Sequence, residues 1–404
     1  MNRSCITLLA TAIFPAFGLA APIAAQAAEE TIKIGVYCPF TGGSADMGIS
    51  ARNGIRLAIE EINSMAGGVN GKKIELVERD DQANPDFAKK VVEEMLQKDK
   101  VVAALGVCNT GVGLATIDIF QNAKVPLIVP VSTGTPLTKK FASAPENWIF
   151  RVSPRDEVQA PFIVADAMKR GFRKVALFAD TTGYGEAGKN DVEKALAEGG
   201  LKPVSVHRFP VGVKDLAEEV KAARAAGADV VISYTVGPEA AVLAKSIEKQ
   251  KWNVQLMGSW PLCWRNFIDA AGPAGEGALV AVSFVQQASF QRRNAFITAY
   301  QQKFNTAVIP APMAAAQGYD AALLLFYALH QAQSSEPEKI KAALENLNRQ
   351  VGGVITTYKH PFSKTDHDAL TGNMLVMGIV RNGAVDYAYR DDAQRGFVIQ
   401  RKAQ

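Results

Sequence analysis

Short apolar runs alternate with helical stretches along most of the chain. The apolar runs are continuous rather than alternating with polar residues, which is typical of strands buried on both faces of a parallel sheet. Stretches such as Phe87–Lys98 place their apolar residues on one face of a helix. Repeated strand–helix units of this kind predict an α/β fold. The predicted strands are Ile32–Tyr37, Ile74–Arg79, Val101–Val107, Leu127–Val131, Lys174–Ala179, Val204–Arg208, Val230–Thr235 and Gln255–Gly258.

These strands fall into two groups of four, separated by an extended segment at Ile149–Pro154. This grouping predicts two doubly wound parallel-sheet lobes in series. The chain has 404 residues, which is more than one ordinary hydrophobic core accommodates. Ligands of such sheets bind beyond the carboxyl ends of the strands, so the loops that follow the strands are the first candidates for a site.

The C-terminal part is less regular and is expected to return to both lobes. Two predicted strands, Met374–Val380 and Ala384–Tyr389, are joined near Asn382-Gly383, which is a hairpin signal. We assign residues 29–151 plus 283–354 to the first lobe and residues 152–282 plus 355–404 to the second.

Residues 1–28 have the pattern of an export signal. A short basic start is followed by an apolar run, Ile6–Ala25, and by the small-x-small cleavage site Ala25-Gln26-Ala27. A membrane anchor is the alternative interpretation, but Pro15 and Pro22 interrupt the run and a polar chain follows at once. We therefore predict a signal peptide and a protein of the periplasm.

Charge and motifs exclude several classes of function. Lys and Arg number 44 against 40 Asp and Glu, and no basic run stands out, so nucleic acid is not a predicted partner. Cys and His spacings match no metal site, and no cofactor is predicted. No nucleophile elbow or phosphate loop is present, so we do not expect an enzyme. The histidines, which all fall outside the candidate loops, are His207, His330, His360 and His367.

A glycine-rich loop, Thr41–Gly48, is the most informative local feature. It follows the first predicted strand and precedes a helical pattern, an arrangement that presents backbone N–H groups at a helix N-terminus to an anion or polar ligand. Gly42, Gly43 and Gly48 allow a close approach to a ligand. Most such loops only turn the chain, so this loop alone does not establish a site.

Several short segments, in order and spacing, resemble one known family. The chain resembles the type I periplasmic solute-binding proteins of the branched-chain amino acid (Leu/Ile/Val) class, which are receptors of ABC importers. That resemblance implies two lobes joined by a three-strand hinge, a ligand in the cleft, and closure recognised by the membrane permease. We expect a monomer. The segments are Pro39–Gly42, Asn70–Ile74, Asp80–Ala83, Val125–Ile128, Phe150–Pro154 and Tyr184-Gly185.

The resemblance also implies ligand-binding positions. Ser132 and Thr133 match the loop that holds a ligand carboxylate, and Tyr184 matches an aromatic residue that closes from the second lobe. Plainer interpretations exist, because Ser132 and Thr133 also suit a turn, and Asn109 also suits a helix cap. Met47 and Tyr184 equally suit the core. The positions are Met47, Asn109, Ser132, Thr133, Tyr184 and Val236.

The chain departs from this family at Trp260. Amino-acid binders carry an acidic residue there, after the Met-Gly of a strand, which pairs with the ligand ammonium. An ammonium without a carboxylate is costly in a closed cleft, whereas an aromatic face suits a flat or apolar ligand. We therefore favour an aromatic or apolar carboxylate as the ligand, with amino acids as the alternative if Asp46 or Glu239 supplies the carboxylate. A core position for Trp260 and an exported sensor rather than a transport receptor both remain open.

Three cysteines remain after residue 28. Cys38 and Cys108 end strands that are neighbours in the usual doubly wound order, so a disulfide between them is one prediction and two separate buried thiols are the other. Cys263 is expected to be free.

Overall fold

The computed structural model describes residues 31–396 and residue 402, so the predicted signal peptide lies outside the described residues. The strands are β1 (Ile32–Cys38), β2 (Ile74–Asp80), β3 (Ala103–Gly106), β4 (Leu127–Val129), β5 (Ile149–Arg151), β6 (Val175–Asp180), β7 (Ser205–Phe209), β8 (Val230–Tyr234), β9 (Gln255–Gly258), β10 (Leu279–Val282), β11 (Val351–Gly352), β12 (Thr357–Tyr358), β13 (Val376–Arg381) and β14 (Ala384–Tyr387). The α-helices are α1 (Ala45–Met65), α2 (Pro85–Gln97), α3 (Thr110–Ala123), α4 (Pro136–Lys139), α5 (Asp156–Lys169), α6 (Gly183–Glu198), α7 (Ala217–Ala225), α8 (Gly237–Lys249), α9 (Arg265–Ala271), α10 (Gln291–Phe304), α11 (Pro312–Ala332), α12 (Pro337–Glu345) and α13 (Arg390–Arg395).

The first lobe contains a parallel sheet in the order β2-β1-β3-β4-β5. Its central strands β3 and β4 are apolar throughout because both faces are covered, whereas the edge strand β2 carries several charged residues. Ile34 and Val36 pack towards α1 and α11, whereas Tyr37 and Ala104 pack towards α2 and α3. The segment predicted as an extended crossing supplies the edge strand β5 before it leaves the lobe.

The second lobe contains a sheet in the order β14-β13-β10-β9-β8-β6-β7. Strands β6 to β10 pair in parallel, whereas β13 and β14 pair antiparallel at one edge. The predicted hairpin is observed, with Asn382 at φ +50° and Gly383 at φ +71°. Strand β10 was not predicted. Both sheets have the doubly wound character that the sequence indicates.

Helices α1 and α11 pack backbone against backbone in the first lobe. A Cβ atom on Gly54 would lie 2.0 Å from the Ala315 carbonyl oxygen, and one on Gly318 would lie 2.5 Å from that of Ala51. Glycine is required at both positions because no side chain fits between the helices. This contact holds α11 against α1, the helix that follows the glycine-rich loop.

Residues 355–370, predicted in the second lobe, contact the first lobe. The Tyr358 hydroxyl donates to Asp320 Oδ2 over 2.8 Å, and β12 pairs with β11. Arg151 N donates to the His367 carbonyl, and Ala369 N donates to the Arg151 carbonyl, each over 2.8 Å. We therefore propose that the last of the three crossings lies between residue 370 and β13, rather than at residue 355.

Candidate functional site

A narrow cavity lies between the lobes, at the carboxyl ends of the central strands of both sheets. Its volume is about 20 Å³, close to the space of a single water, so ligand entry requires the lobes to separate or side chains to move. All seven residues predicted to bind ligand line this cavity together. The lining residues are Met47, Cys108, Asn109, Thr110, Val131, Ser132 and Thr133 from the first lobe, and Tyr184, Val236, Trp260, Pro261 and Trp264 from the second.

The loop after β4 brings two hydroxyls to the first-lobe side of the cavity. The Ser132 hydroxyl is bonded to the Thr110 hydroxyl over 2.8 Å, and Thr110 also accepts from Gly134 N over 3.2 Å. The Thr133 hydroxyl is buried and has no hydrogen-bond partner of good geometry among the described residues. Thr133 is therefore the more available of the two hydroxyls for a ligand, since a buried donor without a partner costs about 1–3 kcal/mol.

A buried arginine fixes this loop from below. Arg151 Nη1 donates to the carbonyls of Thr133 and Gly134 over 3.0 and 2.7 Å, and Arg151 Nε pairs with Asp368 over 2.6 Å. Arg151 is 0% exposed, so the pair is shielded from water. Burial alone would raise the pKa of Asp368, but the charge of Arg151 holds it below its ordinary value.

Asn109 faces the cavity instead of capping the helix that follows it. Its side chain makes no cap hydrogen bond to α3. Its Nδ2 donates to Ser44 Oγ over 3.2 Å, and its Oδ1 is buried with no partner within residues 31–396. Asn109 therefore connects the glycine-rich loop to the start of α3 and retains one polar atom for a ligand.

The glycine-rich loop makes contacts across the cleft. Gly42 has φ +75°, and α1 begins at Ala45. Asn266 of the second lobe donates its backbone N–H to Asp46 Oδ2 and its Nδ2 to the Gly43 carbonyl, each over 3.0 Å. The loop thus contributes Met47 to the cavity, while Gly43 and Asp46 contact the second lobe.

Two helix starts position the second-lobe residues. Thr182 caps α6 by accepting from the backbone of Tyr184, and the Tyr184 hydroxyl is bonded to Ser259. Asp180 accepts from Thr182 N over 2.9 Å and from Val236 N over 3.3 Å, which joins the loops after β6 and β8. The result is a fixed wall of side chains opposite the Thr133 loop.

Trp260 lies in the cavity wall, in a short 3-10 turn after β9. It is 2% exposed, and its ring centroid lies 6.4 Å from that of Trp264. The proposed substitutes for the missing acid do not line the cavity. Asp46 is bonded to Asn266, and Glu239 Oε1 accepts from Gly212 N over 2.7 Å. Among the described lining residues, none carries a carboxylate.

One carboxyl lies just below the cavity. Asp156 is fully buried at the start of α5, where its N–H donates to the Thr133 carbonyl over 2.8 Å. Burial raises the pKa of Asp156 to about 8, against a smaller opposing effect of the nearby Thr133 hydroxyl. In the empty site this carboxyl is therefore mostly protonated at pH 7.

Replacing Asp156 by asparagine is expected to change how stability depends on pH. The folded-state pKa lies above the unfolded value of about 3.9, so the carboxyl adds stability that is complete below that value and lost as pH rises through 8. The variant lacks this loss, so its stability relative to wild type should rise between pH 5 and 8, by up to about 1.4 kcal/mol per pH unit. Urea unfolding at each pH measures it, and parallel curves would contradict it.

A disulfide joins Cys38 at the end of β1 to Cys108 after β3, with a Cα–Cα distance of 5.2 Å. The two strands are neighbours in the first sheet. Cys263 is buried and has no disulfide partner among the described residues, and burial raises the pKa of its thiol. Cys108 itself lines the cavity, so the bridge fixes one edge of the site.

Sequence reasoning missed two polar lining residues, Thr110 and Trp264. Thr110 begins α3 one residue after the predicted Asn109, and Trp264 follows Trp260 by one turn. Their proximity to predicted positions was the available signal. Within the part of the chain that the structure describes, no cluster of acidic, Cys or His residues suits a metal, and no helix is long and apolar enough to span a bilayer.

Two doubly wound lobes with a cavity between them are the architecture of the two-lobed periplasmic binding proteins. A family model described as a periplasmic binding protein matches residues 31–384. The chain is 32% identical over 252 residues to Leu/Ile/Val-binding protein homolog 2 of Brucella abortus (strain 2308). This match covers 61% of the chain and 66% of the relative, just under two thirds of the relative's length.

Two further comparisons cover more of the chain. It is 29% identical over 338 residues to a leucine-, isoleucine-, valine-, threonine- and alanine-binding protein of Pseudomonas aeruginosa, which covers 82% of this chain and 87% of that one. A type 1 periplasmic binding protein from Bordetella pertussis Tohama I has the same fold, with a TM-score of 0.80 and 26% identity. The match covers 89% of this chain and 99% of that protein. The chain belongs to the type I periplasmic binding proteins of the branched-chain amino acid family, and the predicted family and fold class are confirmed.

Proposed function

We propose that the protein is the substrate-binding receptor of an ABC importer and captures a small carboxylate in the cleft between its lobes. An aromatic or other apolar acid is the favoured ligand. The observation that carries this proposal is the composition of the cavity. One wall has hydroxyls and the other has aromatic rings, with no carboxylate on the described lining residues.

The first-lobe wall suits the carboxylate end of the ligand. The Thr133 hydroxyl is buried beside Asp156 and makes no hydrogen bond of good geometry among the described residues, so a ligand oxygen would satisfy it. Hydrogen bonds to a charged partner are worth about 1.5–3 kcal/mol each. Arg151 holds the Thr133 and Gly134 carbonyls from behind, so the loop is pre-formed for the ligand.

The second-lobe wall suits an apolar body better than an ammonium. Trp260 and Tyr184 present rings to the cavity, and aromatic contacts add about 0.5–1.5 kcal/mol beyond area burial. Asp156, the nearest buried carboxyl, is neutral at pH 7 because burial raises its pKa to about 8. An ammonium enclosed here would lose its hydration and would gain a charged partner only by ionising Asp156, which costs about 1.4 kcal/mol at pH 7.

An amino acid is the second candidate ligand. The curated relatives carry names that specify leucine, isoleucine and valine, which favours amino acids on family grounds. Trp260 offers a cation–π contact to an ammonium, although this is weaker than a buried ion pair. An exported sensor would use the same lobes and remains an alternative to import.

Closure of the lobes over the ligand would be the signal that the permease recognises. Several contacts cross the cleft and can form only when the lobes are together. Thr135 Oγ1 donates to Asp191 Oδ2 over 2.7 Å, and Asn266 binds Asp46. A ligand that touches both lobes shifts this equilibrium by its differential affinity for the closed arrangement. The protein would act without cofactor or catalysis, as a periplasmic monomer exported by its signal peptide.

Replacing Thr133 by valine is expected to weaken ligand binding about tenfold or more. The change keeps the shape of the side chain but removes the hydroxyl that would bind the ligand carboxylate, a contact worth about 1.5–3 kcal/mol. Calorimetry would compare the variant with wild type, using whichever of benzoate, phenylacetate and 4-methylpentanoate binds wild type most tightly.

Two measurements complete this experiment. Thr133→Ser keeps the hydroxyl and should retain most of the affinity, while the melting temperature of Thr133→Val without ligand should stay near that of wild type. Equal affinity of the valine variant and wild type would remove Thr133 from the site. Absence of binding of any carboxylate to wild type would refute the proposed ligand class.

A further inference from the structure

Trp264 is a polar element of the cavity that neither the sequence pattern nor the proposed carboxylate contact explains. It follows the 3-10 turn of Trp260 and precedes α9. Its carbonyl accepts from Phe267 N and Ile268 N over 3.1 and 3.0 Å, and its own N–H donates to the Pro261 carbonyl over 3.2 Å. These bonds fix the backbone at Trp264.

The indole N–H of Trp264 is unusual because it is buried without a partner. Trp264 is 2% exposed, and its Nε1 has no hydrogen-bond partner among residues 31–396 and 402. An indole N–H only donates, so nothing but an acceptor satisfies it. A buried donor left unpaired costs about 1–3 kcal/mol, and tryptophan N–H groups usually find a partner when buried.

The other polar groups of the cavity do not satisfy this donor. The hydroxyls of Ser132 and Thr110 are bonded to each other, and that of Tyr184 is bonded to Ser259. Thr133, the open hydroxyl, belongs to the opposite lobe, where we propose that it holds the carboxylate. The first lobe thus presents two unpartnered polar atoms to the cavity, Thr133 Oγ1 and Asn109 Oδ1, whereas the second lobe presents one, Trp264 Nε1, among aromatic rings.

We infer that Trp264 determines ligand specificity by donating its indole N–H to an oxygen that the ligand carries away from its carboxylate. The ligand class is then a hydroxy- or oxo-substituted aromatic or apolar carboxylic acid. This inference rests on the proposed function. A second carboxylate is less suitable than a neutral oxygen, because the described lining residues include no basic side chain to pair with it. The side chains of leucine, isoleucine and valine offer no acceptor.

Matched ligand pairs test this directly in the wild-type protein. Benzoates that carry a hydroxyl at the 3 or 4 position, away from the carboxylate, would be compared by calorimetry with the corresponding methylbenzoates. The methyl group has nearly the size of the hydroxyl but accepts no hydrogen bond. We expect at least one oxygen-bearing ligand to bind ten times more tightly than its matched partner, or tighter still.

The variant Trp264→Phe should abolish that preference. It keeps an aromatic ring and removes the N–H, so the ratio of the two affinities, oxygen-bearing ligand over methyl-substituted partner, should fall to about one, whatever change in affinity the two ligands share. Trp252→Phe is the matched control, since Trp252 is only partly buried and lies outside the cavity lining. It should retain the full preference.

Each outcome separates this inference from the proposed function. Carboxylate binding without any preference for oxygen-bearing ligands, or a preference that survives Trp264→Phe, would overturn the inference alone. If no carboxylate binds wild type, the proposed function fails with it. Should Trp264→Phe not fold, indole ¹⁵N–¹H signals of the wild-type protein decide, because the chain has 4 tryptophans. The Trp264 signal, assigned by Phe substitutions at the other three, should shift with the oxygen-bearing ligand and not with its methyl partner; equal shifts would refute it.

Discussion

Replacing Arg151 by methionine is expected to lower the free energy of unfolding by about 3–5 kcal/mol. The change removes the partner of Asp368, which is 2% exposed, and leaves its charge buried. Arg155, at 3.3 Å from the second carboxylate oxygen, compensates only in part. The variant also loses the donor to the Thr133 and Gly134 carbonyls, so carboxylate affinity should fall together with stability.

Urea unfolding of two further variants tests the cause. Arg56→Met removes the half-exposed Arg56–Glu78 pair and should cost less than about 1 kcal/mol, because water already screens it. The double variant Arg151→Met with Asp368→Leu should recover much of the loss, since it leaves no unpaired buried charge. A small effect of Arg151→Met, or no recovery in the double variant, would show that the buried pair does not stabilise the contact between β5 and the segment that contains Asp368.

Removing the disulfide is expected to cost about 2–4 kcal/mol of stability. Cys38 and Cys108 are 70 residues apart in sequence, so their bridge restricts a long loop in the unfolded chain. The double variant Cys38→Ala with Cys108→Ala should therefore melt at a clearly lower temperature under oxidising conditions. Because Cys108 lines the cavity, its ligand affinity should also fall.

Thiol titration and a control variant separate this from simple loss of packing. The unfolded, unreduced mature protein should give one reactive thiol, from Cys263, and three would refute the bridge. Cys263→Ala removes the free thiol and keeps the bridge, so the same titration should find no reactive thiol in this variant. If reduction of wild type leaves its melting temperature unchanged, the bridge contributes nothing to stability.

The sequence predicted the strand–helix order because buried parallel strands have a strong local signature. The eight predicted strands are observed, and the loops after β1, β3, β4, β6, β8 and β9 meet at one cavity as doubly wound sheets require. Strand β10, Leu279–Val282, was missed because the helix before it, α9, has only 7 residues and gives too short a periodic pattern to mark a further strand–helix unit.

Contacts between distant residues could not be predicted. Arg151 and Asp368 are 217 residues apart, and no local pattern pairs them. Asp46 was a candidate for an ammonium contact, but its carboxylate accepts from Asn266, 220 residues away. Whether the indole N–H of Trp264 is paired also depends on the tertiary structure, because the sequence does not reveal that this donor is buried without a partner.

Calorimetry with matched acids and amino acids tests the central claim most directly. 4-Methylpentanoate has the carbon skeleton of leucine without its ammonium, and 3-phenylpropanoate stands in the same relation to phenylalanine. Since the described lining residues offer the ammonium no carboxylate, we expect each acid to bind at least ten times more tightly than its amino acid. Submicromolar binding of leucine, with no response to either acid, would contradict the claim and show that another residue replaces the acid missing at Trp260.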